Sequence, residues 1–258
     1  MNATAQAVAA PAAPPAPLPW LGIVAVLVGA VATTLTSRLT SIGLADVRGA
    51  IGAGFDEGAW IPTAFSAAQM MIGPLAIFLG RAFTPRRVLL TGCVVYGLAE
   101  LLLPLAPDLR TFLLLQVLAG LGSGTFIPLT AAFILVSLPR ALWPWGLAAY
   151  AMNIILGLNV ASSLEGWYLE HATWHWVFWQ NTVVAGPLFV LYWFGLRRLP
   201  IDHDYLRHGD FRGMLLGAAG FTLVFIALDQ GDRLDWFSSM LVVTLLALGV
   251  IALGLFLL

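Results

Sequence analysis

The chain has no lysine, a single cysteine and very little charge: twelve arginines and thirteen acidic residues make charged side chains only 10% of 258 positions. A soluble domain carries about 25% charge, so a chain this poor in it does not cover a water-facing surface. Without basic clusters interleaved with aromatics, nucleic-acid binding has no electrostatic basis. Cys93 lies in an apolar run, cannot pair internally, and reads as a small buried hydrophobe. His203 with Asp202 and Asp204 has neither the spacing nor the ligand number of a closed metal site, so no metal is assigned there. No nucleophile sits beside a base and no glycine-rich loop cradles phosphate, which argues against an enzyme and against a cofactor.

What is present is apolar length. Hydrophobic residues make up 60% of the chain. From Thr111 to Pro139 there is no charge before Arg140, a run longer than the ~20 apolar residues that cross a bilayer. Helical spacing puts Gln116, Gly120, Ser123, Gly124 and Ile127 on one face, where Gly120 and Gly124 admit a neighbouring backbone. Pro128 is expected to kink this helix, with a neighbour or a hydroxyl such as that of Thr130 taking up the freed carbonyl. Eight spans are predicted, at about Trp20–Ala45, Trp60–Gly80, Val88–Ala106, Thr111–Leu138, Leu142–Leu164, Trp176–Leu196, Gly213–Leu228 and Phe237–Leu258. The sequence thus reads as an all-α membrane protein: a disordered cytoplasmic tail over 1–19, a six-helix bundle over 20–196, a solvated cytoplasmic loop over 197–212, and two further helices over 213–258. Leu258 ends an apolar run without a flanking anchor, which predicts that a second six-helix half is missing.

Arginines set the orientation. With the tail inside, the inner loops hold Arg81, Arg86, Arg87, Arg140, Arg197, Arg198, Arg207 and Arg212, and the outer ones Arg48, Arg110 and Arg233. By the positive-inside rule both ends of the chain are cytoplasmic, in a multi-pass protein of the bacterial inner (plasma) membrane. Trp167, Trp174, Trp176, Trp179 and Trp236 fall near the outer boundary, as interfacial belt residues or as ligand contacts.

An ionisable group inside a span costs about 2.5–3.5 kcal/mol on insertion scales, which makes each one a candidate for function. Arg38 shares a face of the first helix with Thr34 and Ser41, and either faces a polar cavity or snorkels to the outer headgroups. Glu100, the one carboxylate placed within a span, either pairs with an arginine, Arg38 foremost, or carries a proton. Asp46, Asp108, Glu165 and Asp229 are placed at outer boundaries. Asn153 and Asn159 either line a pathway or join helices.

Several stretches carry a resemblance to a known family: FDEGAWIPTAFSAAQMMIGPLAIFLG (55–80), FLLLQVLAGLGSGTFIPL (112–129), WHWVFWQN (174–181) and above all LDQGDRLDWFSS (228–239). They resemble the major facilitator superfamily, in particular its fourteen-helix branch of drug/proton antiporters, from the first helix to Leu258. The resemblance implies a substrate cavity between two six-helix halves, alternating access, and usually proton-driven export of drug-like molecules. Its partners would be the bilayer, a small-molecule substrate, protons and the missing half. It also marks departures. In the gating loop GRAFTPRRV (80–88), Arg86 and Arg87 are kept, while Ile77, Arg81 and Thr84 stand where the family has Gly, Asp and a second Gly. Gln116 replaces the family's buried arginine, Thr36 its helix 1 aspartate, and the Gly-Pro antiporter signature is missing from 157–166. Transport by Arg38, Thr36, Glu100, Gln116, Asn153 and Asn159 is therefore set against a non-transporting scaffold or receptor-like descendant, or an inactive fragment.

Overall fold

The computed structural model describes residues 20–207 and 209–257; the predicted tail at 1–19, the side chain of His203 and the terminal Leu258 lie outside the described residues. The described chain is helical: α1 Trp20–Ile42, α2 Leu44–Ile51, α3 Phe55–Gly58, α4 Trp60–Phe83, α5 Pro85–Leu102, α6 Leu109–Ser123, α7 Phe126–Ser137, α8 Trp143–His171, α9 Trp176–Gly195, α10 His203–Arg207, α11 Phe211–Gly231 and α12 Met240–Phe256. Among the described residues seven stretches are long and apolar enough to cross a membrane: α1, α3 with α4, α5 with the turn after it, α6 with α7, most of α8, α9, and α11. The eighth expected span is α12, whose 17 residues stand at the short end of the spanning range.

The predicted fourth span is two helices. The break falls at Gly124–Thr125, four residues ahead of Pro128, where the proline withdraws the donor that the Gly124 carbonyl would otherwise receive. Thr130 does not fill that gap, because its hydroxyl lies 2.7 Å from the Phe126 carbonyl and 2.8 Å from that of Val26, tying α7 to α1.

Small residues bring the helices together. A Cβ at Gly120 would strike the Phe65 carbonyl, and one at Gly124 would lie 2.8 Å from the Gln69 Cα, so that face of α6 rests on α4. One at Gly122 would lie 2.6 Å from the Gly92 carbonyl, and α5 packs there. Aromatics fill the space the glycines leave, Tyr96, Phe126 and Tyr192 meeting edge to face at the centre. Among the helices that follow, α11 packs on α12 and on α4.

One connection differs from expectation. The gating loop is a corner of one residue: α4 runs through Arg81, and Arg86 and Arg87 are already in the first turn of α5. The segment over 197–212, expected as a solvated loop, is mostly exposed among its described residues and touches the bundle at a few points. The Asp202 N–H donates to the Ala82 carbonyl at 3.1 Å, and Phe78 stacks on Tyr205 and meets Phe211 edge-on.

Candidate functional site

Polar side chains inside the bundle come mostly one or two per helix, and the structure joins them across helices. The Gln69 amide on α4 donates to Thr33 Oγ1 on α1 at 2.6 Å and to Ser123 Oγ on α6 at 3.1 Å. Thr36 shares a 2.5 Å hydrogen bond with the Tyr96 hydroxyl of α5. One turn further along α5, Glu100 is fully buried; its Oε2 accepts from Asn181 Nδ2 of α9 at 3.0 Å, and its Oε1 has no protein partner. Gln116 is also fully buried, and neither end of its amide is bonded. An unbonded buried polar group costs about 1–3 kcal/mol, so these atoms are what a substrate, water or proton would satisfy.

The structure separates the other predicted residues from this layer. Arg38 is exposed and forms no ion pair with Glu100; among the described residues the salt bridges are Arg233–Asp56 and His171–Glu170. Helical spacing tells that Arg38, Thr34 and Ser41 share a face but not what that face meets: Thr34 lies against Gly157 of α8, while Arg38 and Ser41 are exposed. Asn153 joins helices, its amide donating to the Leu27 carbonyl at 3.0 Å. Asn159 is exposed and bonds to its own helix at the Ile155 carbonyl. Glu165, expected at a boundary, is 5% exposed within α8 and shares a cavity of about 260 Å³ with Asp46.

Sequence reasoning missed Gln69, Tyr96 and Asn181. The burial cost that singled out Glu100, extended to amides, would have found Gln69 and Asn181, whereas Tyr96 carries no such signal, since tyrosine is common in apolar cores. It also missed how the 228–239 stretch works. Gln230 is buried and donates to Thr63 at 2.5 Å, its Oε1 accepts from Arg233 Nε at 2.7 Å, and Thr63 lies 2.5 Å from Asp229 Oδ2. Arg233 in turn reaches Asp56 at 2.9 Å and lies 5.7 Å from the centre of the Trp60 ring. The stretch thereby joins α11 to the start of α4.

The sequence matches the Major Facilitator Superfamily over residues 21–258. The chain belongs to this superfamily. Its members are transporters and not enzymes. Over 85% of the chain it is 26% identical to the multidrug export protein EmrB of Haemophilus influenzae, of which it covers 43%. Over 93% it is 31% identical to the puromycin resistance protein pur8 of Streptomyces alboniger, covering 47%. The chain thus spans less than half the length of these superfamily relatives. The xylose transporter XylE from E. coli superposes with a TM-score of 0.60 at 14% identity, over 84% of this chain and 58% of that one, which shows the shared fold alone.

Proposed function

We propose that this chain is the six-helix half, with two additional helices, of a fourteen-helix secondary transporter that exports drug-like or amphipathic small molecules by alternating access, completed by a second six-helix half. The observation that carries this reading is the likeness to drug-export and drug-resistance relatives along nearly the whole chain. The arginine distribution supports an inner-membrane orientation with the α4–α5 corner on the cytoplasmic side.

Within this reading Glu100 is the proton carrier of the half. It is fully buried, hydrogen-bonded on one oxygen only, and forms no ion pair among the described residues, so its occupancy by a proton is free to change during a cycle. Gln116, likewise unbonded, offers the substrate a donor and an acceptor. The test is Glu100→Gln in the full-length protein reconstituted into liposomes. The amide oxygen still accepts from Asn181, so folding and substrate binding should persist while proton-driven efflux is lost. Efflux that keeps its dependence on the proton gradient in this variant would remove Glu100 from the role.

A further inference from the structure

Five arginines gather around the α4–α5 corner: Arg81, Arg86, Arg87, Arg197 and Arg198 line two cavities there. None of them forms an ion pair with a carboxylate among the described residues. For the exposed ones this costs little, because water or the headgroup region solvates them. Arg86 is different, being only 8% exposed. Its Nε and Nη2 donate to the Trp193 carbonyl at 3.2 and 3.1 Å, and its guanidinium carbon lies 4.4 Å from the centre of the Trp193 ring. Arg198 reaches the same ring at 5.1 Å. A carbonyl and a π face stabilise a guanidinium without neutralising it, and two cations on one indole add repulsion. A buried cation of this kind calls for an anion.

The larger cavity shows which anion. It has a volume of about 600 Å³, with Arg81, Arg86 and Arg197 on its lining, while Leu129, Phe133, Leu135 and Val136 form an apolar wall. Val136 and Leu135 are exposed, so the wall continues onto the surface. Inorganic phosphate would answer the arginines and leave that wall bare. A headgroup joined to an acyl chain answers both.

We infer that this cavity binds an anionic phospholipid, its phosphate among Arg86, Arg81 and Arg197 and an acyl chain along Leu129, Phe133 and Val136. That the lipid comes from the cytoplasmic leaflet rests on the orientation proposed above; the site itself does not. The full-length protein, purified and equilibrated with mixed micelles of one part phosphatidylglycerol to four of phosphatidylcholine, is released in a native mass spectrometer and its bound lipids are counted. Phosphatidylglycerol should be retained in preference, and the preference should fall about fivefold for each arginine removed in Arg86→Gln and Arg86→Gln/Arg197→Gln. Arg86→Lys keeps the charge and should keep most of the preference, which separates loss of the site from misfolding. Ala132→Phe, which fills the cavity and removes no arginine, should also release the lipid. Equal retention of the two lipids, indifference to Arg86→Gln, or displacement of phosphatidylglycerol by inorganic phosphate would each overturn the assignment. A cysteine at Asp202 labelled from outside by an impermeant thiol reagent would overturn the leaflet alone and leave the site standing.

Discussion

At its Trp60 end α4 meets charged groups that the chain itself answers: Asp229 against Thr63 and Gln230, and Arg233 against Gln230, Asp56 and the Trp60 ring. At its Arg81 end the same helix stands among five arginines, of which Arg81, Arg86 and Arg198 meet aromatic rings and Arg86 a carbonyl, while none meets a carboxylate among the described residues. The first end is a joint within the chain, complete without anything added. The second is a cationic surface whose balance must come from outside it. Of the departures that the resemblance marks, those at Ile77, Arg81 and Thr84 fall at this second end, Arg81 standing where the family has an acid.

The largest way to break the comparison is to disturb the middle of α4, on which both ends depend. Gly120→Leu drives a side chain into the Phe65 carbonyl and Ala68, and should destabilise by about 3 kcal/mol in thermal unfolding of the detergent-solubilised protein. Leucine is the better helix former by roughly 0.8–1 kcal/mol, so any net loss is steric. The control, Leu121→Ala on the same helix, should cost less. Unchanged melting of Gly120→Leu would show that this face does not carry α4.

Next in size is Gln230→Leu, which leaves Thr63 and the Arg233 guanidinium without their amide partner. A cost of about 2 kcal/mol is expected. Melting equal to the parent would mean that α11 is held by its apolar contacts alone, and the Trp60 end would then be no better joined than the other.

At the Arg81 end the expected change has the opposite sign. Thr84 links α4 to α5 at φ 84°, ψ 142°, a conformation that side chains with a Cβ rarely adopt. Such strain costs about 1–3 kcal/mol, and glycine returns roughly 0.5–1 kcal/mol of that through the freedom of the unfolded chain. Thr84→Gly should therefore stabilise by about 1 kcal/mol, while Thr84→Ala, which keeps the Cβ, should not. Destabilisation by Thr84→Gly would show that the buried threonine is held by packing worth more than its strain.

Helix positions were legible in the sequence because the bilayer sets the length of an apolar run: Trp20, Trp60 and Trp176 open helices where the composition changes. The extra helices α2 and α3 were not, since short interfacial segments lack that length signal. Polar residues in the spans were legible as costly, but not their partners. Glu100 was readable as buried, yet its choice of Asn181 over Arg38 depends on how α5 and α9 rotate against each other, which no spacing along one helix records. Thr84 carried its signal only through the resemblance, a β-branched residue standing where glycine is usual, and the structure supplies the dihedral angle that explains why.

The smallest effect tests what holds the Trp60 end. The Arg233–Asp56 contact is short, 2.9 Å, but Asp56 has 81% of its side chain exposed against 16% for Arg233. Water and salt screen such a pair, and Asp56 loses side-chain freedom to form it, so a double-mutant cycle of Asp56→Asn and Arg233→Gln should give a coupling of only about 0.2–1 kcal/mol, shrinking in high salt. Arg233→Gln alone should cost more than the coupling, because it also gives up the Gln230 oxygen and the Trp60 ring. A coupling as large as the cost of Gln230→Leu and insensitive to salt would reverse the order: the joint would then be an ion pair with an amide beside it. In that case the two ends of α4 would differ only in whether the chain supplies the acid, and restoring one at the other end by Arg81→Asp should then pair with the arginines there as Asp56 does with Arg233.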